Sequence, residues 1–179
     1  MIYQAHPDVG AILHVHGWID GTETGPDQAQ PMSEATKNVV RYNLIRDNYS
    51  SAIHILHSCW TEVYGNTLEN NLRNPGFAEI YLAFADPTPM LAGFHFHVDL
   101  ANNSIHDNTI TQVDATRKVV QLVVDNVTAT PFVTNAKANT FDFNVYELAP
   151  GAAAFAWGGD KTFPQWQAIP QDPNGRLDA

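Results

Sequence analysis

A chain of 179 residues, 44% hydrophobic and 11% aromatic, is long enough to bury a core as one generous domain or two small similar ones. Its 9 basic against 19 acidic residues give a formal charge of −10, which repels phosphate backbones and anionic bilayers and excludes nucleic acid and membrane as expected partners. The single cysteine, Cys59, rules out an intramolecular disulfide framework. No signal-like start and no run of about 20 apolar residues is present, so a soluble, cytoplasmic protein is expected.

In chain order, "ILHVHGW" (Ile12 to Trp18) reads as a strand. A polar loop leads to a helix capped by Ser33, with Val39, Val40 and Leu44 at helical spacing and the pair Asp47–Asn48 as its end. The run "AIHIL" follows as a strand, and "HSCWTEVYGNTLENNLRNPG" is expected to hold a short helix before the strand "FAEIYLAF" (Phe77 to Phe84). The order then repeats: the strand "FHFHVDL" (Phe94 to Leu100), a loop, a helix capped by Asp114 and bearing Val119, Val120, Val123 and Val124, the pair Asp125–Asn126, and the strands "PFVT" and "FDFNVYEL". "EATKNVV" (Glu34 to Val40) matches "DATRKVV" (Asp114 to Val120), and "DNYSSA" matches "DNVTAT". The predicted fold is α+β: tandem β-α-β-β repeats, 1–90 and 91–149, forming one compact domain with a curved, largely antiparallel sheet or α+β barrel and helices on one face. Residues 150–179 form an irregular arm that packs back through Phe155, Trp157, Phe163 and Trp166.

Both first strands carry two histidines separated by one residue. Strand residues i and i+2 share a face, about 6.6 Å apart at ~3.3 Å per residue. His14 and His16 therefore line one face of the first strand, and His95, His97 and Asp99 one face of the second. Two imidazoles so spaced can reach one ion. If the halves are related by a two-fold axis, all four histidines meet in one cavity, with Asp99 available to complete a two-histidine, one-carboxylate set and Glu79 and Glu147 as further carboxylates. Imidazole suits iron and zinc alike, so Fe(II) or Zn(II) is expected. His54 and His57 have no counterparts in the second half and are assigned structural roles. Cys59 is expected to be buried rather than nucleophilic. No Gly-rich phosphate loop, Gly-x-Ser-x-Gly elbow or CxxC pair is present.

The stretch "AHPDVGAILHVHG" (Ala5 to Gly17) resembles the zinc-binding strand of class II aldolases, which implies zinc ligation by His14 and His16. "GFHFHVDL" (Gly93 to Leu100) resembles the histidine-bearing strand of DOPA 4,5-dioxygenase-like proteins, which implies a non-haem iron site at His95 and His97 in a ferredoxin-like α+β barrel. The tandem plan resembles that of vicinal-oxygen-chelate enzymes. The expected function is a metal-dependent oxygenase acting on a small organic molecule, aromatic ones included, through His14, His16, His95 and His97. The alternatives are a zinc-dependent lyase, aldolase or isomerase, and a non-enzymatic binding or structural protein; a homodimer is compatible with each.

Overall fold

The computed structural model describes the backbone of residues 13–16 and residues 38–71, 76–85, 99–125, 127–169 and 171–178. In chain order the strands are β1 (Leu13–His16), β2 (Val39–Arg41), β3 (Leu44–Arg46), β4 (Ile53–Leu56), β5 (Glu62–Tyr64), β6 (Thr67–Glu69), β7 (Ala78–Ala85), β8 (Ser104–His106), β9 (Thr109–Gln112) and β10 (Lys118–Asp125). After a one-turn helix α1 (Thr130–Val133) come β11 (Thr140–Asp142), β12 (Val145–Leu148), β13 (Phe155–Ala156), β14 (Asp160–Lys161), a short helix α2 (Phe163–Gln167) and β15 (Arg176–Leu177).

Up to β13, consecutive strands do not pair with each other. They pass to three different sheets in turn, and every third strand returns to the first sheet one rung further on. The sheets are β1-β4-β7-β10-β13-β14, β2-β5-β8-β11, and β3-β6-β9-β12-β15. All pairings are parallel and in register except β13 with β14. A chain wound in this way is a parallel β-helix, a solenoid in which each coil buries its apolar face only by stacking on its neighbours.

The expected α+β fold with an antiparallel sheet and helices on one face is therefore corrected. Val39 and Val40, placed on the first helix, lie in β2; Val119, Val120, Val123 and Val124, placed on the second, lie in β10. β-Branched residues are stiff at the first side-chain torsion and fit a pleated surface better than a helix. Asp114 does accept from a following backbone N–H, that of Thr116 at 2.9 Å, but it closes a turn rather than capping a helix. The segment expected to hold a short helix contains β5 and β6, and "PFVT", expected as a strand, overlaps α1. The matched Val-Val pairs lie in different sheets, so these segments do not occupy equivalent places. Strands are found where expected at "AIHIL" and "FAEIYLAF", while "FDFNVYEL" is broken into β11 and β12 at Phe143. The segment that holds Ser33 lies outside the described residues.

Each sheet sends a stack of side chains inward, and the six-stranded sheet adds buried Ile55 and Leu82 beside its own. Val40, Val63, Ile105 and Phe141 form one; Ile45, Leu68, Ile110 and Tyr146 the second; Ile53, Ile80, Val120 and Phe155 the third. All twelve side chains are buried. Each of these three stacks is aliphatic until its last member, which is aromatic, and residues 150–179, expected as an irregular arm, hold β13, β14, α2 and β15, with their rings packed on that end. Trp166 lies 4.9 Å from Phe155, nearly parallel at 14°, and 5.2 Å from Phe141 at 73°. Phe163 and Trp157 complete the plug.

The corners are built by one device. Between β2 and β3, and at the matching turn of the next three coils, one residue adopts a left-handed backbone: Tyr42 (φ 56), Gly65 (φ 62), Asp107 (φ 53) and Phe143 (φ 55). An asparagine follows each time. Its side chain donates to the carboxamide oxygen of the asparagine one coil on: Asn43 to Asn66 at 3.0 Å, Asn66 to Asn108 at 2.9 Å, Asn108 to Asn144 at 3.0 Å. Asn144 then donates to Asp172 at 2.9 Å, where the Tyr146 hydroxyl also donates at 2.6 Å. Each asparagine oxygen accepts in addition from the backbone N–H of the preceding coil's asparagine, and the other Asp172 oxygen accepts from the Asn144 N–H at 3.3 Å. A polar side chain inside the solenoid is tolerable only when its hydrogen bonds are made, and this ladder makes them. A second ladder joins Asn103 to Asn139 at 2.8 Å, and a third runs Asn48 to Asn71 to Glu79 at 2.9 and 2.7 Å.

Candidate functional site

With the inward positions filled by packing and amide ladders, chemistry available to a ligand lies on the outward rows. On the six-stranded sheet, register places His14, His54, Tyr81, Gln121 and Ala156 in one row across β1, β4, β7, β10 and β13. By register His16 is aligned with Leu56, Ala83 and Val123. The alternation of buried Ile53 and Ile55 with half-buried His54 and Leu56 fixes which row faces out. His54 meets the Tyr81 ring edge-on at 4.7 Å and 84°, and Phe77 packs on Tyr81 at 5.3 Å. Burial pushes the Tyr81 phenol up from its ordinary value, so it stays protonated at neutral pH.

The four-stranded sheet carries a second outward row, Arg41, Tyr64, His106 and Asp142, in register across β2, β5, β8 and β11. The Arg41 guanidinium donates to the Tyr64 hydroxyl at 2.8 Å and lies 5.8 Å above the Tyr42 ring. Tyr64 stacks on His106 with ring centres 5.2 Å apart and planes at 3°, while Tyr42 meets Tyr64 edge-on at 5.4 Å. Nδ1 of His106 is 2.7 Å from Asp107 and Nε2 is 3.3 Å from Glu62, so two carboxylates hold the ring from opposite sides.

His14 and His16 lie on β1 at the edge of the six-stranded sheet; His95 and His97 lie outside the described residues. Asp99 is engaged elsewhere: its carboxylate pairs with Lys137 at 2.7 Å and accepts from the Leu100 N–H at 2.7 Å. Glu79 faces the interior, whereas Glu147 is exposed on the third sheet and accepts from the Thr111 hydroxyl. The two do not meet. His57 packs on Phe84 at 5.3 Å, and Cys59 is buried, its thiol pushed up chiefly by that burial. No cluster of three or more histidine, cysteine, aspartate or glutamate side chains poised for a metal occurs among the described residues. No described helix is long and apolar enough to cross a membrane.

Sequence reasoning missed His54 as a neighbour of His14, because residues 40 apart in the chain become adjacent only through the winding of the solenoid. It also missed the Arg41–Tyr64–His106 row. A usable signal existed: an apolar residue, then asparagine three positions on, then an apolar residue two further, recurs at Val40-Asn43-Ile45, Val63-Asn66-Leu68, Ile105-Asn108-Ile110 and Phe141-Asn144-Tyr146. Comparison with protein-family models, with curated proteins and with solved structures finds no match.

Proposed function

We propose that this protein is a metal-dependent enzyme whose ion is held by His14, His16 and His54 on the outward face of the six-stranded sheet. The observation that carries this reading is the register of β1 on β4, which sets His14 beside His54. Positions i and i+2 of one strand and the in-register position of its neighbour are each within reach of one ion, since adjacent strands are about 4.8 Å apart. Three neutral imidazoles with an open position are a donor set suited to Zn(II) or Fe(II), and they leave the full charge of the ion to polarise an oxygen-bearing substrate. Tyr81, packed against the edge of His54, restrains that ring as the outer partners of metal-bound histidines do.

The described residues wind as a β-helix rather than as tandem β-α-β-β modules, so the choice between iron and zinc rests on the ion retained. Elemental analysis after separate exposure to Fe(II) and Zn(II) is expected to give close to one ion per chain in the unaltered protein. His14→Ala and His54→Ala should each lose it, and His106→Ala, on another sheet, should keep it. Retained iron with oxygen uptake supports the oxygenase branch; retained zinc supports a lyase or isomerase. An unaltered chain that takes up neither metal, or a His54→Ala chain that holds it undiminished, overturns the reading.

A further inference from the structure

We propose that the outward row of the four-stranded sheet is a binding site for a neutral saccharide chain lying along the solenoid axis. The site stands apart from the histidines of the six-stranded sheet and does not depend on the metal reading. Three features of the row carry it.

The first is aromatic surface left in water. Tyr42 is 72% exposed and Phe143 55% exposed, and both occupy the same corner of their coils, three rungs apart. Large apolar rings on a folded surface are informative when they recur at one structural position rather than singly. The edge-on contact of Tyr42 with Tyr64, and the Arg41 guanidinium above it, hold the exposed ring in place. A rigid aromatic face is the complement of the flat C–H face of a pyranose, which it covers at little cost in side-chain entropy.

The second is the mixture of acceptors and donors around those rings. Glu62, Asp107 and Asp142 supply carboxylate oxygens and Arg41 supplies guanidinium N–H groups. Hydroxyl groups of a sugar both donate and accept, so they use this set fully. The three carboxylates against one guanidinium, on a chain of formal charge −10, disfavour polyanions. That excludes nucleic acids and polyuronates, which would otherwise compete for the same rings.

The third is repetition along the axis. In-register parallel pairing puts Arg41, Tyr64, His106 and Asp142 on four successive rungs, spaced at ~4.8 Å and spanning about 14 Å in all. A ligand extended along the axis reaches all four rungs, and a compact small molecule reaches one or two.

The test is titration of the whole chain with cellohexaose as a neutral oligomer, cellobiose as a short one and oligogalacturonate as a charged one, followed by calorimetry. The expected result is saturable binding of cellohexaose, at least about tenfold weaker binding of cellobiose, and about tenfold loss of cellohexaose affinity in Tyr42→Ala. Phe143→Ala, at the far end of the row, should reduce the advantage of the hexamer over the dimer. Far-ultraviolet circular dichroism of each variant checks that the coils remain formed, and Tyr42→Phe is expected to bind as the unaltered chain does. Absence of cellohexaose binding, equal affinity in Tyr42→Ala, or preference for the galacturonate oligomer would overturn the proposal.

Discussion

Glu79 closes the third amide ladder from inside the solenoid, fully buried, with its two oxygens accepting from the Asn71 backbone at 2.9 Å, the Asn71 side chain at 2.7 Å and Gln112 at 3.0 Å. All three neighbours are donors, which favours the carboxylate. Burial opposes it more strongly and pushes the group from its ordinary 4.5 up to about 7. The native state thus holds this proton more tightly than the unfolded chain does. The stability it contributes is complete below about pH 4.5 and is lost as pH rises toward and past about 7, an effect on the order of 3 kcal/mol. Glu79→Gln cannot titrate, so its urea midpoint is expected to be flat across that window where the unaltered chain declines. Parallel declines in both proteins would assign the dependence to other groups, Asp172 first, since burial raises that carboxyl also.

At the scale of the element, the corner decides the fold, and the corner was hard to read. Gly65 is the only glycine among the four left-handed residues that precede the main ladder, and it has a second reason to lack a side chain: a Cβ there would come within 2.7 Å of the Tyr42 ring. Gly65→Ala combines an unfavourable positive φ with displacement of that ring. It is expected to cost about 1–2 kcal/mol in chemical denaturation, and loss of the Tyr42–Tyr64 edge contact should appear as altered tyrosine resonances. A stability within a few tenths of a kcal/mol of the unaltered chain would mean that the exposed ring yields freely. Tyr42, Asp107 and Phe143 make the same turn without glycine, so the usual glycine punctuation is missing from three corners of four. The recurrent asparagine was legible in position but not in meaning, because asparagine also ends helices and fills loops. The Val-Val runs were legible as apolar but not as strands, since a helix shows a similar spacing over so short a window, and only Val40, Val119 and Val120 of them are buried while Val39 is 54% exposed. The candidate site suffered likewise: His14 and His16 could be paired from strand geometry, whereas His54, Tyr64 and His106 join their rows only once the rung lengths are known.

At the scale of the molecule, a solenoid is close to a one-dimensional stack, and its stability depends on how its ends are closed. Here the C-terminal end is closed by a plug in which Trp166, fully buried, covers Phe141 and Phe155, the last members of two inward stacks, while Phe163 covers Tyr146, the last of the third. The aromatic character of that arm was legible in the sequence because bulky rings in a proline-bearing tail have nowhere to be buried except against the body. Trp166→Ala removes the central ring and is expected to cost about 3–5 kcal/mol. In a globular core such a loss would be shared by every element. In a stack it should fall mainly on the adjoining coil, so amide hydrogen exchange in β11, β12 and β13 should accelerate well before that in β4, β5 and β6. Trp166→Phe, which keeps part of the contact with Phe155, should show the same gradient at smaller amplitude in a chain that remains folded. Uniform acceleration along all coils in Trp166→Phe would show that the solenoid unfolds as one unit and that its ladders, rather than its plug, set the cooperativity.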